Sequence, residues 1–286
     1  MLLRKKEEIE VFLNLYDIKD YELIKDKKYG YIINVNEGVS FYNKKLKSIK
    51  VKFNKINGHF DCSYNLLESL EGCPEIVEGD FYCNNNLLNS LKNGPKILIG
   101  SYYCNNNHLK TLEGSPKIIN SLFNCNANQL ETLKGAPTQI EKHFLCAYNN
   151  LKTLEYCPNI INGNIDFSNN KLINIKTNLE IIEGNFDCSD NKLESLEGMS
   201  EIIVGVFYSY NNNLTLEGLK YLPKEISTNK INIFNNEKLK ELQSITNVKE
   251  LKEKVEEILK IKKEKENLLK VINEEGLSKN KNIKKI

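Results

Sequence analysis

The chain has 286 residues, with 40 Lys and Arg against 38 Asp and Glu, for a formal charge of +2. So even a balance excludes a protein that seeks nucleic acid by overall charge. No apolar run reaches the length of a membrane span, and none at the start reaches that of a signal peptide, so the expected setting is a bacterial or infected-host cytoplasm.

In chain order, residues 2–15 carry Leu2, Ile9, Phe12 and Leu13 at helical spacing with charges between them, which predicts an N-terminal cap helix. Tyr31 to Val35, followed by Asn36-Glu37-Gly38, reads as a strand and turn. They lead into a degenerate first repeat with Phe41, Leu46 and Ile49 in register. Residues 1–38 are therefore assigned as a cap, which a stack of repeats needs because its end exposes apolar side chains and an unpaired backbone edge.

From residue 39 to 242 the chain repeats. Six of its eight cysteines, Cys62, Cys83, Cys104, Cys125, Cys146 and Cys188, lie 21 residues or a multiple of 21 apart, with Phe167 and Ser209 at the other two places in the series. An asparagine follows each place by three residues, from Asn65 to Asn212, and a leucine by five, from Leu67 to Leu214. A large apolar residue, from Phe60 to Phe207, precedes each by two. Phe81 and Cys83 alternating with Tyr82 is the pattern of a short strand with one buried face. Leu70 and its successors, a Gly-x-Pro-like bend and an apolar doublet such as Ile76-Val77 complete the unit. A glycine before most strands (Gly58, Gly79, Gly100) suits a position of positive φ. None of the cysteines forms a CxxC pair. They are expected to be reduced core residues, not disulfides or metal ligands.

These columns resemble the leucine-rich repeat, LxxLxLxxNxL in units of 20–29 residues, whose last four places fall here on Phe81, Cys83, Asn86 and Leu88. The short unit with its trailing proline looks like the bacterial subtype of secreted effectors. The phrase FDCSYNLLESLEGCPEIVEGDFYCNNN is also similar to repeat proteins of bacteriophages and large viruses. The resemblance implies an α/β-type repeat solenoid, a leucine-rich-repeat-like stack of about ten short parallel strands with an N-terminal helical cap and a C-terminal helix. It also implies a buried asparagine ladder. One departure stands out: the first family leucine falls on Glu78, Asn120, Glu141, Asn162 and Glu183, with the apolar pair slightly earlier.

The register slips after Asn212 and resumes in a last repeat, Ile231 to Leu242. From about 246 the spacing of Leu251, Val255, Ile258, Leu259, Leu268, Leu269 and Ile272 is helical. Residues 243–286 hold twelve Lys against eight Glu and end in a basic tail, Lys279 to Lys285. They are assigned as a C-terminal helix that caps the stack and a frayed basic tail; direct nucleic-acid binding is not expected, the tail being the one place left open for it.

Function is expected on the outward strand residues of a concave face. One column includes Asp61, Tyr82, Tyr103, Asn124, Leu145, Asp166, Asp187 and Tyr208; the column two residues earlier includes His59, Asp80, Leu122 and His143. Tyrosine in this number suits a protein contact surface. The three histidines lie in no metal or catalytic motif, no phosphate loop or nucleophile elbow is present, and the adjacent Asp166 and Asp187 lack a second catalytic group. No enzyme, cofactor or metal is expected, and no membrane. The expected partner is a protein with a basic surface. The viral resemblance implies an inhibitor that occupies a host defence protein, for example a nucleic-acid-guided nuclease. The alternatives are an assembly component or a secreted effector that binds host-cell proteins.

Overall fold

Phe81 and Cys83 are fully buried while Tyr82 between them is half-exposed. The computed structural model, which describes residues 2–283 and side chains through Val271, repeats that alternation coil after coil as a leucine-rich-repeat-like β-solenoid. Ten two-residue strands, from Val39–Ser40 to Ile231–Asn232, form one continuous parallel sheet in sequence order, the first ladder. Its register pairs Phe60 with Phe81, Phe81 with Tyr102, and Tyr102 with Phe123. Between coils the Cys83 N–H donates to the Tyr103 carbonyl and the Cys104 N–H to that of Asn124, each at 2.9 Å.

The core runs lengthwise as a spine of rings, in which neighbours such as Phe123 and Phe144 stand 5.7 Å apart. One coil carries Ile165 in the aromatic column, and Phe167 in the cysteine column supplies the missing ring, 5.4 Å from Phe144. Cys104 and Cys125 occupy equivalent, fully buried places on adjacent coils. All eight cysteines are free and buried. Burial pushes the Cys83 and Cys104 thiols far up, so they stay protonated and unreactive.

Each ladder asparagine satisfies the turn between two coils. The Asn107 Oδ1 accepts the Leu88 N–H at 2.9 Å, while its Nδ2 donates to the carbonyls of Cys83 (3.0 Å) and Cys104 (3.1 Å). Buried backbone groups left without such partners would cost ~1–3 kcal/mol each. The same bonds recur at Asn236, which takes the Leu214 N–H at 2.9 Å. The slip after Asn212 is an insertion absorbed by a short helix, α2 (Leu216–Leu219), after which Phe207 still pairs with Ile231.

The departure from the leucine-rich pattern has a structural counterpart. The apolar doublets form a second parallel ladder in three segments, in which Ile76 pairs with Ile97, Ile118 with Gln139, Gln139 with Ile160 and Ile181 with Ile202, with breaks in the pairing between Ile97 and Ile118 and between Ile160 and Ile181. Only the second residue of each doublet enters the core: Val77, Ile119 and Ile140 are fully buried, whereas the first faces outward. The glycines between the two ladders correct the expectation of positive φ: Gly79, Gly100, Gly184 and Gly205 do not have it. Their reason is proximity, since a Cβ at Gly184 would lie 2.5 Å from the backbone of the preceding coil.

At the N-terminus α1 (Lys6–Leu15) buries Ile9, Phe12 and Leu13. Tyr16, its C-cap, sets its ring 4.9 Å from Phe41, edge-on, over the end of the spine. A hairpin of β1 (Tyr21–Asp26) and β2 (Gly30–Val35) follows, with β2 parallel to Phe53–Ile56 at the end of the second ladder. At the other end α3 (Val248–Ile283) buries Val248, Leu251 and Val255 and packs against α2. Burial ceases after Leu259, and Leu268 and Leu269, expected on the packed side, are exposed. Ile272 and the basic tail have side chains outside the described residues.

Candidate binding surface

The outward positions of the first ladder form two columns. In the column that opens with His59, most side chains are engaged by the next coil. His59 Nδ1 accepts the Asp80 N–H at 2.8 Å, Asp80 Oδ1 the Ser101 N–H at 2.6 Å, and His143 Nδ1 the Asn164 N–H at 3.0 Å. Asn164 and Asn185 continue the series, taking the N–H groups of Asn185 and Val206. The column varies between His, Asp, Ser and Asn, yet each presents an acceptor to the same donor. With Nδ1 accepting, the neutral rings of His59 and His143 carry their proton on Nε2. Leu122 has no such bond to give.

In the other column the aspartates fold back on their own strands. Asp61, Asp166 and Asp187 each accept the N–H of the serine two residues on, at 2.9 Å. Asn124 does the same for Asn126 at 3.1 Å, so one oxygen of each carboxylate is committed to ending its strand. The remaining members, Tyr82, Tyr103, Leu145 and Tyr208, are half-exposed and make no bond to the next coil. Ala147, expected in an apolar centre with Leu122 and Leu145, is buried.

The structure therefore divides the predicted residues into two groups. Toward the N-terminus Tyr82 and Tyr103 stack face to face, 4.8 Å apart at 7°, with His59 6.2 Å from the Tyr82 ring. The Tyr82 hydroxyl donates to Asp80 at 2.9 Å, and burial together with that bond raises its pKa, so it remains a phenol. Toward the C-terminus Asp166 and Asp187 sit on adjacent strands with Asp190 and Tyr210. Burial, then the like charges of Asp166 and Asp190, raise the Asp187 carboxyl above the ordinary aspartate value, against the Ser189 hydrogen bonds that lower it. Tyr210 belongs to this group although neither outward column contained it.

Among the described residues no group of three or more His, Cys, Asp or Glu could hold a metal ion, and no helix is long and apolar enough to cross a membrane. A shallow hollow lined by Leu154, Tyr156, Cys157, Lys176 and Thr177 opens on the loop side and not on these columns.

No protein-family profile matches the chain, and no curated protein matches it. Among solved structures, YopM from Yersinia enterocolitica WA-314 aligns at 12% identity with a TM-score of 0.26, over 63% of this chain and 61% of YopM. The fold is accordingly established by the chain's own two ladders and asparagine bonds.

Proposed function

We propose that the chain is a non-catalytic scaffold that holds another protein on the outward columns of its first ladder. The stacked Tyr82–Tyr103 pair carries this reading. It is stacked, anchored by the Tyr82 hydroxyl on Asp80, half-exposed and free of any bond to the next coil, and aromatic groups of this kind supply contact area at little entropic cost. The carboxylates of Asp61 and Asp80 beside it, and of Asp166 and Asp187 three and four coils beyond Tyr103, favour a partner with a basic surface, because complementary charge sets specificity and association rate. A host defence protein with a basic nucleic-acid channel, such as a nucleic-acid-guided nuclease, fits that description, and the chain would act by occupying the channel in the infected cytoplasm.

The test is affinity purification from the native host, followed by titration of the captured protein against variants. Tyr82→Ala with Tyr103→Ala should weaken binding on the order of 100-fold or more. Asp61, Asp166 and Asp187 are to be changed to Asn, not Ala or Lys, since Asn keeps the acceptor that ends each strand and removes only charge. Affinity should then fall with a reduced salt dependence. Capture unaffected by both sets of changes would discard this face as the binding surface.

A further inference from the structure

The second ladder turns isoleucine outward on coil after coil: Ile76, Ile97, Ile118, Ile160, Ile181 and Ile202, with Gln139 between the third and fourth. Ile97, Ile118, Ile160 and Ile181 are 43–54% exposed. At a spacing of ~4.8 Å per coil the stripe runs ~29 Å, an outward apolar row interrupted only by Gln139. Nothing inside the coil asks for isoleucine there, because Gln139 and Glu225 hold the same strand position without breaking the pairing.

The residues that flank the stripe say what covers it. One residue before each outward position, the chain reads Glu75, Lys96, Lys117, Thr138, Asn159, Glu180, Glu201 and Lys224. Inverted end for end, this column opposes itself with matched charge: Glu75 meets Lys224, Lys96 meets Glu201, Lys117 meets Glu180, and Thr138 meets Asn159. The ion pairs Glu75–Lys96 (2.8 Å) and Glu201–Lys224 (2.7 Å) already stand at the two ends in the same order, so reversal closes each into a four-charge set. The same inversion lays Ile97 on Ile202, Ile118 on Ile181, and the exposed Ile99 on the exposed Val204 two residues along, while Ile160 meets Gln139 at the centre and Ile76 meets Glu225 at the ends. Shifting the dyad onto the Gln139 coil would set all six isoleucines against one another, but would also set Glu75 against Glu201 and Glu141 against itself, so charge decides the register.

We propose that the second ladder is a homodimer interface, in which two copies of this chain lay their isoleucine stripes together antiparallel about a two-fold axis between the coils of Gln139 and Ile160. An isologous contact must be self-complementary, and this column is so at three ionic positions out of four. The interface does not use the outward columns of the first ladder, so the dimer presents two copies of that face.

Sedimentation velocity over a concentration series tests this on the full chain. The expected species is twice the chain mass. Ile118→Asp, an outward change that leaves circular dichroism unaltered, should raise the dissociation constant on the order of 100-fold by burying an unpaired charge. Lys117→Glu should weaken the dimer about 10-fold, and Lys117→Glu with Glu180→Lys should recover most of that loss, since the pair is only exchanged. Under mild oxidation, Thr138→Cys chains mixed with Asn159→Cys chains should cross-link, while Thr138→Cys chains alone should not. A monomer at every concentration, or a dimer indifferent to Ile118→Asp, overturns the interface. Efficient cross-linking of Thr138→Cys with itself overturns the register.

Discussion

The two ladders share one core and differ in what they turn outward. On the first, the outward residues change from coil to coil, yet a histidine, aspartate or asparagine there accepts the N–H of the following coil (His59 to Asp80, Asn185 to Val206). On the second, the outward residue is isoleucine in most coils and bonds to nothing within the chain. Variation in the first column thus conceals a constant chemical duty, while uniformity in the second answers no internal need. Apparent freedom along a solenoid face is a poor guide to its availability. On the first ladder the outward side chains that accept no N–H are Tyr82, Tyr103, Leu122, Leu145, Val206 and Tyr208, and the proposed recognition rests on the aromatic members of this set together with the uncommitted oxygens of Asp61, Asp166 and Asp187.

The largest effect is expected where the first ladder is anchored. Asn128 Oδ1 holds the Leu109 N–H at 3.0 Å and its Nδ2 reaches the Cys104 and Cys125 carbonyls at 3.1 Å. Asn128→Ala leaves these buried groups unpartnered, and urea unfolding should show a loss of about 3 kcal/mol or more. A loss below ~1 kcal/mol would mean that neighbouring coils adjust and that the ladder is not held by its asparagines.

A matched pair of changes separates the two faces directly. Asn185→Ala removes the acceptor of the Val206 N–H and should cost about 1 kcal/mol. Ile160→Thr, outward on the second ladder, should stay within ~0.5 kcal/mol in the monomer while weakening self-association. Equal costs for the two would erase the distinction drawn between the ladders.

Much of the fold was legible because the coil imposes one residue type at one place. Cys104 and Cys125, or Asn107 and Asn128, have nowhere else to sit. What escaped had no such uniqueness. The strand Tyr21–Asp26 lacks a clean alternation, and only the hairpin it makes with Gly30–Val35 defines it. The residue before each ladder asparagine holds a left-handed backbone, as at Tyr64 (φ 55°), Ala127 (φ 53°) and Tyr148 (φ 57°). Five of the eight occupants from Tyr64 to Asn211 are Asn or Asp, which favour that conformation, but Tyr64, Ala127 and Tyr148 give no signal of it. The doublet Ile160-Ile161 does not announce which member faces outward. At the candidate site, residue type revealed which side chains lie on the surface, but not that Asp61, Asp166 and Asp187 each commit one oxygen to their own strands.

A smaller effect concerns charge on the first ladder. The folded Asp187 carboxyl holds its proton more tightly than an unfolded aspartate does, chiefly through burial. The native state therefore binds the extra proton, and stability falls as pH rises from the ordinary value of 3.8 through the raised folded value. Asp187→Asn keeps an acceptor for the Ser189 N–H and abolishes this penalty. It should unfold at higher urea than the parent at neutral pH and lose that advantage well below the ordinary aspartate value. An advantage that does not change with pH would show that the penalty is not one of charge.

The smallest effect lies in the core behind both ladders, where it sharpens what an unbonded polar group costs. Tyr102 is the one tyrosine in the aromatic column, fully buried, and its hydroxyl has no hydrogen-bond partner of ordinary geometry, with the Cys83 thiol beside it a weak substitute. Gly94 makes the room, since a Cβ there would stand 3.0 Å from that hydroxyl and 2.9 Å from Leu70 Cδ1. Tyr102→Phe restores the side chain that neighbouring coils carry and removes the unsatisfied group, so stability should rise by up to about 1 kcal/mol. Gly94→Ala should destabilise the parent by crowding the hydroxyl and cost less in the Tyr102→Phe background, a coupling that a double-mutant cycle reads directly. If Tyr102→Phe is instead destabilising, the hydroxyl is bonded in solution, and the outward histidines and aspartates are not alone in meeting the coil's polar needs.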